Sequence, residues 1–120
     1  MTQYSLNVRK VRNEQEFNIL VNELTRREII RYALDDGFYY PHMKEASFGY
    51  YDPVKWKSHV QDMVMISEQF PAMHFELEGA GESPGDFWKE YYHDGEVEYC
   101  RGEIVYEQPK KVQWTELVAF

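Results

Sequence analysis

The sequence predicts an α+β fold: a ferredoxin-like, mostly antiparallel sheet with two helices on one face. The chain has 120 residues, the length of one domain spanning 1–120. Apolar residues recur with helical spacing in two separate segments. Segments that alternate between apolar and polar residues precede, separate and follow them, which gives the predicted order β-α-β-(β)-α-β-β-β. The sequence has no internal repeat or linker, so one continuous domain is expected.

The first part of the chain predicts a strand followed by a capped helix. Tyr4–Val11 alternates between apolar and polar residues, as a half-buried strand does. Asn13 is a candidate N-cap, with Glu16 three residues later in the capping-box position. We therefore expect a helix over Asn13–Arg26. Its apolar stripe has the spacing i, i+3, i+4 and i+7: Phe17, Leu20, Val21 and Leu24.

The segment 27–40 allows two interpretations. Ile30 and Leu34 would continue a helical stripe, so the first helix could extend through them. The helical phase slips at Arg27, however, and Asp36-Gly37 is a hairpin signal. We favour a strand that turns at this pair into Phe38–Tyr40. The following residues, 41–52, predict a loop and a short strand.

The clearest predicted element is a helix over Asp52–Pro71. Asp52 is placed to cap its first amides, a contribution of about 1 kcal/mol. Pro53 suits the first helical position because it has no amide hydrogen to leave unpaired, and Pro71 would end the helix. One face of this helix is mainly apolar: Trp56, Val60, Met63, Val64 and Ser67.

Three strands are predicted after this helix. Residues 72–79 alternate, with Phe75 and Leu77 on one side. Residues 86–108 predict two strands joined by a hairpin turn at Asp94-Gly95. The last residues, 110–120, are expected to form a terminal strand or a short helix.

Most of the net charge lies in one stretch of the chain. Phe75–Glu103 contains nine carboxylates and two bases, a net charge of −7, while the whole chain carries −8. Alternation predicts that the inward side chains of these strands, such as Phe75, Leu77, Val97 and Tyr99, leave the polar set on the other side. If both helices cover one face of the sheet, the other face is acidic. The outward set is His74, Glu76, Glu78, Glu96, Glu98 and Cys100.

An acidic sheet face has two explanations, to which we give similar weight. It can be a solvated surface that favours solubility and prevents edge pairing. It can also attract a basic partner by electrostatic steering. The concentration of charge in one segment favours the second explanation, because solubility alone is served by dispersed charge of mixed sign.

Composition and motifs exclude several classes of function. The single Cys100 rules out an internal disulfide and a cysteine-based zinc cluster, so a reducing cytoplasm is expected. No signal-peptide pattern or apolar run of about 20 residues is present, so no membrane association is expected. The acidic balance disfavours direct binding of nucleic acid. The glycines of 79–85 lie among carboxylates, which would repel a nucleotide phosphate, so no cofactor is predicted.

The best enzyme-like cluster is His74, Glu76 and Glu78, which share a strand face and which Glu82 and Asp86 could complete as oxygen ligands. A metal-assisted hydrolase built on these residues is an alternative, but we predict no catalytic residue and no metal. Aromatic residues flank the acids and either pack in the core, with Trp88 and Tyr92 as one such set, or form a protein-binding patch. These residues are Trp88, Tyr91, Tyr92 and Tyr99.

Part of the chain resembles small uncharacterised proteins of phages and mobile elements. The residues that carry the resemblance lie within Asp52–Gly95: Trp56, Asp62-Met63, the S-x-x-F-P of Ser67–Pro71, and the stretches FELEGAGE and GDFWKEYYHDG. The W…S…FP…F-x-L…E portion is also similar to the YubB-like ferredoxin-like domain of plasmid proteins. The resemblance implies a ferredoxin-like fold and a mobile-element context. Small acidic proteins in that context often inhibit host defence, but the resemblance carries over no functional residue.

The hypothesis is therefore a non-enzymatic, acidic, macromolecule-binding protein. Its most concrete form is a phage-type inhibitor, anti-CRISPR or antirestriction, that mimics nucleic acid and occupies a basic, nucleic-acid-binding host protein in the host cytoplasm. A structural or oligomerisation module is a further alternative, with a homodimer left open. The expected partner contacts are Glu76, Glu78, Glu82, Asp86, Glu96 and Glu98, supported by Trp88.

Overall fold

The computed structural model describes residues 1–102 of the chain. Over these residues the protein has an α+β fold with six strands and two helices. The elements are β1 (Gln3–Arg9), α1 (Glu14–Arg26), β2 (Phe38–Tyr40), β3 (Glu45–Phe48), α2 (His59–Gln69), β4 (His74–Ala80), β5 (Phe87–His93) and β6 (Glu96–Arg101). Neither helix has the length and apolarity needed to cross a bilayer, a statement that covers the described part of the chain.

The six strands form one sheet in the order β2-β3-β1-β4-β5-β6. Every neighbouring pair is antiparallel, so the predicted antiparallel α+β class is confirmed. Leu6 at the centre of β1 lies opposite Phe48 of β3 and Leu77 of β4. These three buried residues share one face of the sheet, since directly paired residues point to the same side.

Both helices cover this same face. Phe17 of α1 stacks on Phe48, with ring centroids 6.1 Å apart. His59, at the start of α2, contacts Glu90 of β5, and Glu90 lies opposite Leu77. The core between helices and sheet is closed by the buried faces of the helices: Leu20 and Leu24 of α1, and Met63, Ile66 and Ser67 of α2. Within residues 1–102 no helix lies over the other face of the sheet, because both described helices pack on the first.

The first helix has the predicted bounds and cap. The side chain of Asn13 accepts a hydrogen bond from the backbone N–H of Glu16 at 2.9 Å. The carboxylate of Glu16 reaches back to the N–H of Arg12, also at 2.9 Å. This differs by one residue from the usual capping box, in which the carboxylate contacts the N-cap itself.

The second helix begins six residues later than predicted, at His59 instead of Pro53. Asp52 and Pro53 do not cap it, because the chain there is extended and bridges to the N-terminus. Val54 and Thr2 exchange two backbone hydrogen bonds of 2.9 Å. Trp56 is buried beyond this bridge, and its indole N–H donates to Asp62 at 2.8 Å. Pairing with the N-terminal residues and burial of the tryptophan therefore override the Asp-Pro signal.

The predicted strand before Phe38 is wrong, and so is the helical alternative. After α1 the chain forms tight turns in which Glu28 and Arg31 have positive φ, 61° and 70°. These turns bury Ile29, Ile30, Ala33 and Leu34 without a strand. Gly37 does not form a hairpin turn with Asp36. A Cβ there would lie 2.2 Å from the Phe48 ring, so the glycine allows a close approach.

The last three strands of the described chain follow the prediction. Asp94 and Gly95 have φ of 46° and 83°, as a two-residue hairpin turn between β5 and β6 requires. His93 and Glu96 pair directly across this turn. The terminal element predicted for 110–120 lies outside the described residues, as does the part of the last predicted strand after residue 102.

Candidate functional site

The candidate site is the side of the sheet opposite α1 and α2, over which no helix lies in the described part of the chain; we call it the open face. It is defined by strand register, because residues paired across neighbouring strands share a side. Five of its side chains are glutamates and two are strong bases, Arg9 and Lys89. The open-face residues of β1, β4, β5 and β6 are Gln3, Ser5, Asn7, Arg9, His74, Glu76, Glu78, Ala80, Phe87, Lys89, Tyr91, His93, Glu96, Glu98 and Cys100, and those of β2 and β3 are Phe38, Tyr40, Glu45 and Ser47.

Four of the predicted contact residues come together on the open face. Glu76 on β4 and Glu98 on β6 flank Tyr91 of β5 in one cross-strand row. Glu78 lies in the next row, and Glu96 begins β6 beside His93. Strand alternation therefore gathers these glutamates on one side of three adjacent strands, as the sequence predicts.

Lys89 offsets one of the two negative charges in the inner half of this acidic group, which is Glu76 and Glu78. Its Nζ lies 2.9 Å from Glu76 Oε1 and 3.4 Å from Glu78 Oε1. The hydrogen bond to Glu76, together with the charge of that carboxylate, raises the pKa of Lys89. Ser5 Oγ also donates to Glu78 at 3.2 Å. On β4, therefore, a lysine of β5 offsets part of the predicted acidic charge.

The outer half remains unpaired among the described residues. Glu96 and Glu98 are exposed, and no described lysine, arginine or histidine lies within 4.0 Å of either carboxylate. All six residues of β6 are exposed. Val97 and Tyr99 point to the helix side, as predicted, but remain 42% and 61% exposed. The uncompensated negative charge is therefore concentrated on this outer strand.

The three other predicted contacts lie elsewhere. Glu82, in the turn after β4, forms an exposed ion pair of 2.9 Å with the N-terminal amine, whose hydrogen bond lowers the pKa of this carboxyl. Asp86 folds over Gly81 in the same turn. Trp88 is on the helix side of the sheet, where its ring covers Gly79 and meets Tyr4 edge to face at 6.3 Å.

The structure thus agrees with the first interpretation of the aromatic residues, in which Trp88 and Tyr92 pack in the core. Tyr92 is 1% exposed. The aromatic side chains that border the open-face glutamates are Tyr91 and Phe87 instead, each at least one third exposed. Tyr91 and Trp88 are three positions apart on the same strand, so their side chains point to opposite faces of the sheet. Tyr91 therefore borders the glutamates and Trp88 does not.

A buried polar network was not predicted. Glu90 is 4% exposed, and its carboxylate accepts from Tyr92 Oη at 2.8 Å. His59 Nε2 lies 2.9 Å from the other carboxylate oxygen, while its Nδ1 lies 2.9 Å from the carbonyl of Trp56. The sequence contained part of the signal, because alternation puts Glu90 on the same inward side of β5 as Trp88 and Tyr92.

This network is an ion pair. The hydrogen bond to Glu90 raises the pKa of His59, although burial of the ring acts in the opposite direction. Burial acts to raise the pKa of Glu90, but the hydrogen bonds from His59 and Tyr92 outweigh it and hold that pKa below its usual range. The pair joins the first residue of α2 to β5.

No ligand set for the metal-assisted alternative is found in the described part of the chain. Within residues 1–102, no three His, Cys, Asp or Glu side chains are grouped to hold a metal ion. His74 stacks on His93 with ring centroids 4.1 Å apart. Glu76 and Glu78 are engaged by Lys89.

Comparison with known proteins identifies no relative. No protein-family model, curated protein or solved structure matches this chain. The resemblance to phage proteins and to the YubB-like domain stays a prediction. Function is therefore argued from the geometry and charge of the open face.

Proposed function

We propose that this protein is a non-enzymatic binding protein that engages a basic surface of another macromolecule through the outer half of its open face. The observation that carries the proposal is the placement of Glu96 and Glu98. Both are exposed, lie on the same side of β6, and have no ion-pair partner among the described residues. An acidic surface of this kind accelerates encounter with a basic partner.

The neighbouring side chains suit a protein contact. Tyr91 lies in the same cross-strand row as Glu98, and its ring is partly exposed. Tyrosine contributes large contact area at low entropic cost and is common among residues that dominate binding energy. Glu76, on the other side of Tyr91, is held in place by Lys89. The acidic part of the open face thus has two halves. In the inner half Lys89 holds Glu76, and in the outer half Glu96 and Glu98 have no ion-pair partner among the described residues.

In its most concrete form, the partner is a nucleic-acid-binding protein of a host defence system. A basic surface that binds phosphates is complementary to regularly spaced carboxylates, and occupying it would block nucleic acid from binding there. On this proposal the protein acts in the host cytoplasm as an anti-CRISPR or antirestriction inhibitor. Two features support this version of the proposal: the unpaired glutamates of the outer half and the resemblance to phage proteins.

We also propose that the fold is ferredoxin-like with an added hairpin. The order β2-β3-β1-β4 and the sequence β1-α1-β2-β3-α2-β4 are those of a split β-α-β arrangement. Strands β5 and β6 extend that sheet at its β4 edge. Glu96 and Glu98 lie on β6 of this added hairpin. We therefore assign binding to the hairpin.

The test is capture of a partner from host lysate, followed by association kinetics with the captured protein at increasing NaCl. The variant is Glu96→Lys/Glu98→Lys. We expect association at low salt to slow by about tenfold or more and its salt dependence to flatten. The matched control, Glu28→Lys/Asp52→Lys, makes the same change in net charge at two exposed acids outside the sheet and leaves the rate near wild type.

Equal rates for wild type and the β6 variant would contradict the proposal. So would equal slowing in both variants, because net charge and not the open face would then control association. If no partner is captured and light scattering shows a defined oligomer, the oligomerisation alternative replaces the proposal.

A further inference from the structure

Basic residues gather around a cleft at one end of the sheet, where β1 ends and β4 begins. The cleft has a volume of about 770 Å³. Four cationic side chains line it: Arg9, Lys10, Arg12 and Lys44. Glu45 is the one carboxylate among its lining residues. This local excess of positive charge contrasts with the whole chain, which has 21 acidic and 13 basic residues.

Three of these bases have no ion-pair partner among the described residues. Arg9, Lys10 and Lys44 lie more than 4.0 Å from every described carboxylate oxygen, whereas Arg12 is paired with Glu16 at 2.6 Å. In a chain with excess acid, carboxylates are plentiful as partners. Like charges left unpaired around one cavity repel one another, a cost that a bound anion would offset.

The two lysines are held at the cleft by the backbone. Lys10 and Lys44 both have positive φ, 62° and 53°, which is uncommon for residues other than glycine. The N–H of Val11 donates to the carbonyl of Lys44 at 2.9 Å and joins the two loops. The two backbone segments that carry these lysines are therefore joined to each other.

The positive charges of the cleft also act on His74, the first residue of β4. His74, at the start of β4, also lines the cleft. Its pKa is lowered, first by burial and then by the charges of His93, Lys10 and Arg9. His74 is thus a neutral hydrogen-bonding group at the floor of a cationic cavity. The remaining wall is apolar, formed by Met43 and Ala72.

We propose that this cleft binds a small organic phosphate with at least two phosphoryl charges. Its volume is within the range of small-molecule sites. The lysines and Arg9 are suitable donors to phosphate oxygens, and Met43 offers an apolar surface to the organic part of the ligand. Arg9 and His74 also line a neighbouring pocket with Glu96 and Glu98, so the cleft adjoins the acidic half of the open face. The phosphate site does not depend on the function proposed for that half.

The experiment is an NMR titration of the full chain at low ionic strength with pyrophosphate and, separately, with ATP. We expect saturable amide shifts at Lys10, Lys44 and Ala72. Because ATP has one more phosphoryl group than pyrophosphate, tripolyphosphate is titrated beside it. Tighter binding of ATP than of tripolyphosphate assigns a role to the organic part, whereas equal affinity assigns the site to the phosphates alone and overturns the organic assignment. Either result supports a phosphate site.

The variant Lys10→Gln/Lys44→Gln should weaken binding by about tenfold or more, since each charge-assisted hydrogen bond contributes substantially. Arg9→Gln provides a second, independent variant. The matched control is Lys55→Gln/Lys57→Gln, two exposed lysines outside the cleft, and it should bind as wild type does. Absence of saturable shifts, or equal weakening in the control, would overturn the proposal. Displacement of pyrophosphate by a single-stranded oligonucleotide at lower concentration would overturn the assignment to a small ligand.

Discussion

The imidazole of His59 and the carboxylate of Glu90 form an enclosed ion pair, with Nε2 2.9 Å from Oε2. The carbonyl of Trp56 can only accept, so Nδ1 of His59 carries a proton. Nε2 must then also carry a proton to donate to the carboxylate. Loss of that proton would leave a bare nitrogen facing a buried negative charge, and the pair therefore makes the stability of the protein depend on pH.

Replacing Glu90 with glutamine should reveal this dependence. We expect Glu90→Gln to cost about 3 kcal/mol in free energy of unfolding near pH 6, as loss of one partner of a buried pair does. The raised pKa of His59 contributes stability below its usual value of 6.5, which is lost as pH rises through the folded-state value. The lowered pKa of Glu90 contributes stability above its usual value of 4.5, which is lost as pH falls through the folded-state value.

The difference between wild type and Glu90→Gln should therefore be largest between about pH 4.5 and 6.5 and shrink on both sides. Urea denaturation from pH 4 to pH 9 measures it. A difference that stays constant across this range would exclude a charged pair.

Gly79 should not tolerate a side chain. A Cβ at this position would lie 2.3 Å from Cζ2 of Trp88, an atom of a rigid ring packed beside Tyr4. Gly79→Ala should therefore destabilise the protein by about 1–3 kcal/mol through overpacking. Gly49→Ala is the matched control, because nothing lies within 4 Å of its Cβ position. Thermal denaturation measures both, and equal melting temperatures would show that Trp88 is not fixed over the glycine.

The side chain of Asn13 should stabilise the first helix by capping it. Its loss in Asn13→Ala is expected to cost about 1 kcal/mol, since the N–H of Glu16 loses its acceptor. Asn18→Ala, at an exposed position within the same helix, is the control and should be neutral or slightly stabilising because alanine favours helix. Chemical denaturation decides the matter, and a similar loss in both variants would contradict the capping role.

Local patterns predicted the parts of the fold that depend on local physics. The cap of α1 and the turn at Asp94-Gly95 need only neighbouring residues, and both appear where expected. The start of α2 was misplaced because Asp52-Pro53 suits either a helix start or an extended segment. Pairing of Val54 with Thr2, which is distant in sequence, decides between them.

The candidate site was likewise predicted where it depends on local sequence and missed where it depends on strand pairing. Alternation placed Glu76, Glu78, Glu96 and Glu98 on one side of the sheet, since parity is a local property. The register that sets Lys89 opposite Glu78 is a property of strand pairing and could not be read from one segment. The basic cleft was missed for a related reason, because Lys10, Lys44 and Ala72 meet only through the fold.

Neutralising Lys89 should strengthen binding to a basic partner. Lys89 Nζ holds the carboxylates of Glu76 and Glu78, and Lys89→Gln would release both to the open face. We expect association with the captured partner to become faster, by about two- to tenfold at low salt, and more dependent on salt. Folding stability should change by about 1 kcal/mol or less, because the pair is partly exposed.

The control is Lys57→Gln, which makes the same change in net charge at an exposed lysine outside the sheet. Faster association in Lys89→Gln alone would place the contact on the open face. Equal acceleration in both variants would assign the effect to net charge. Slower association in Lys89→Gln would mean that the lysine itself contacts the partner, and the surface would then recognise a pattern of mixed charge instead of a basic one.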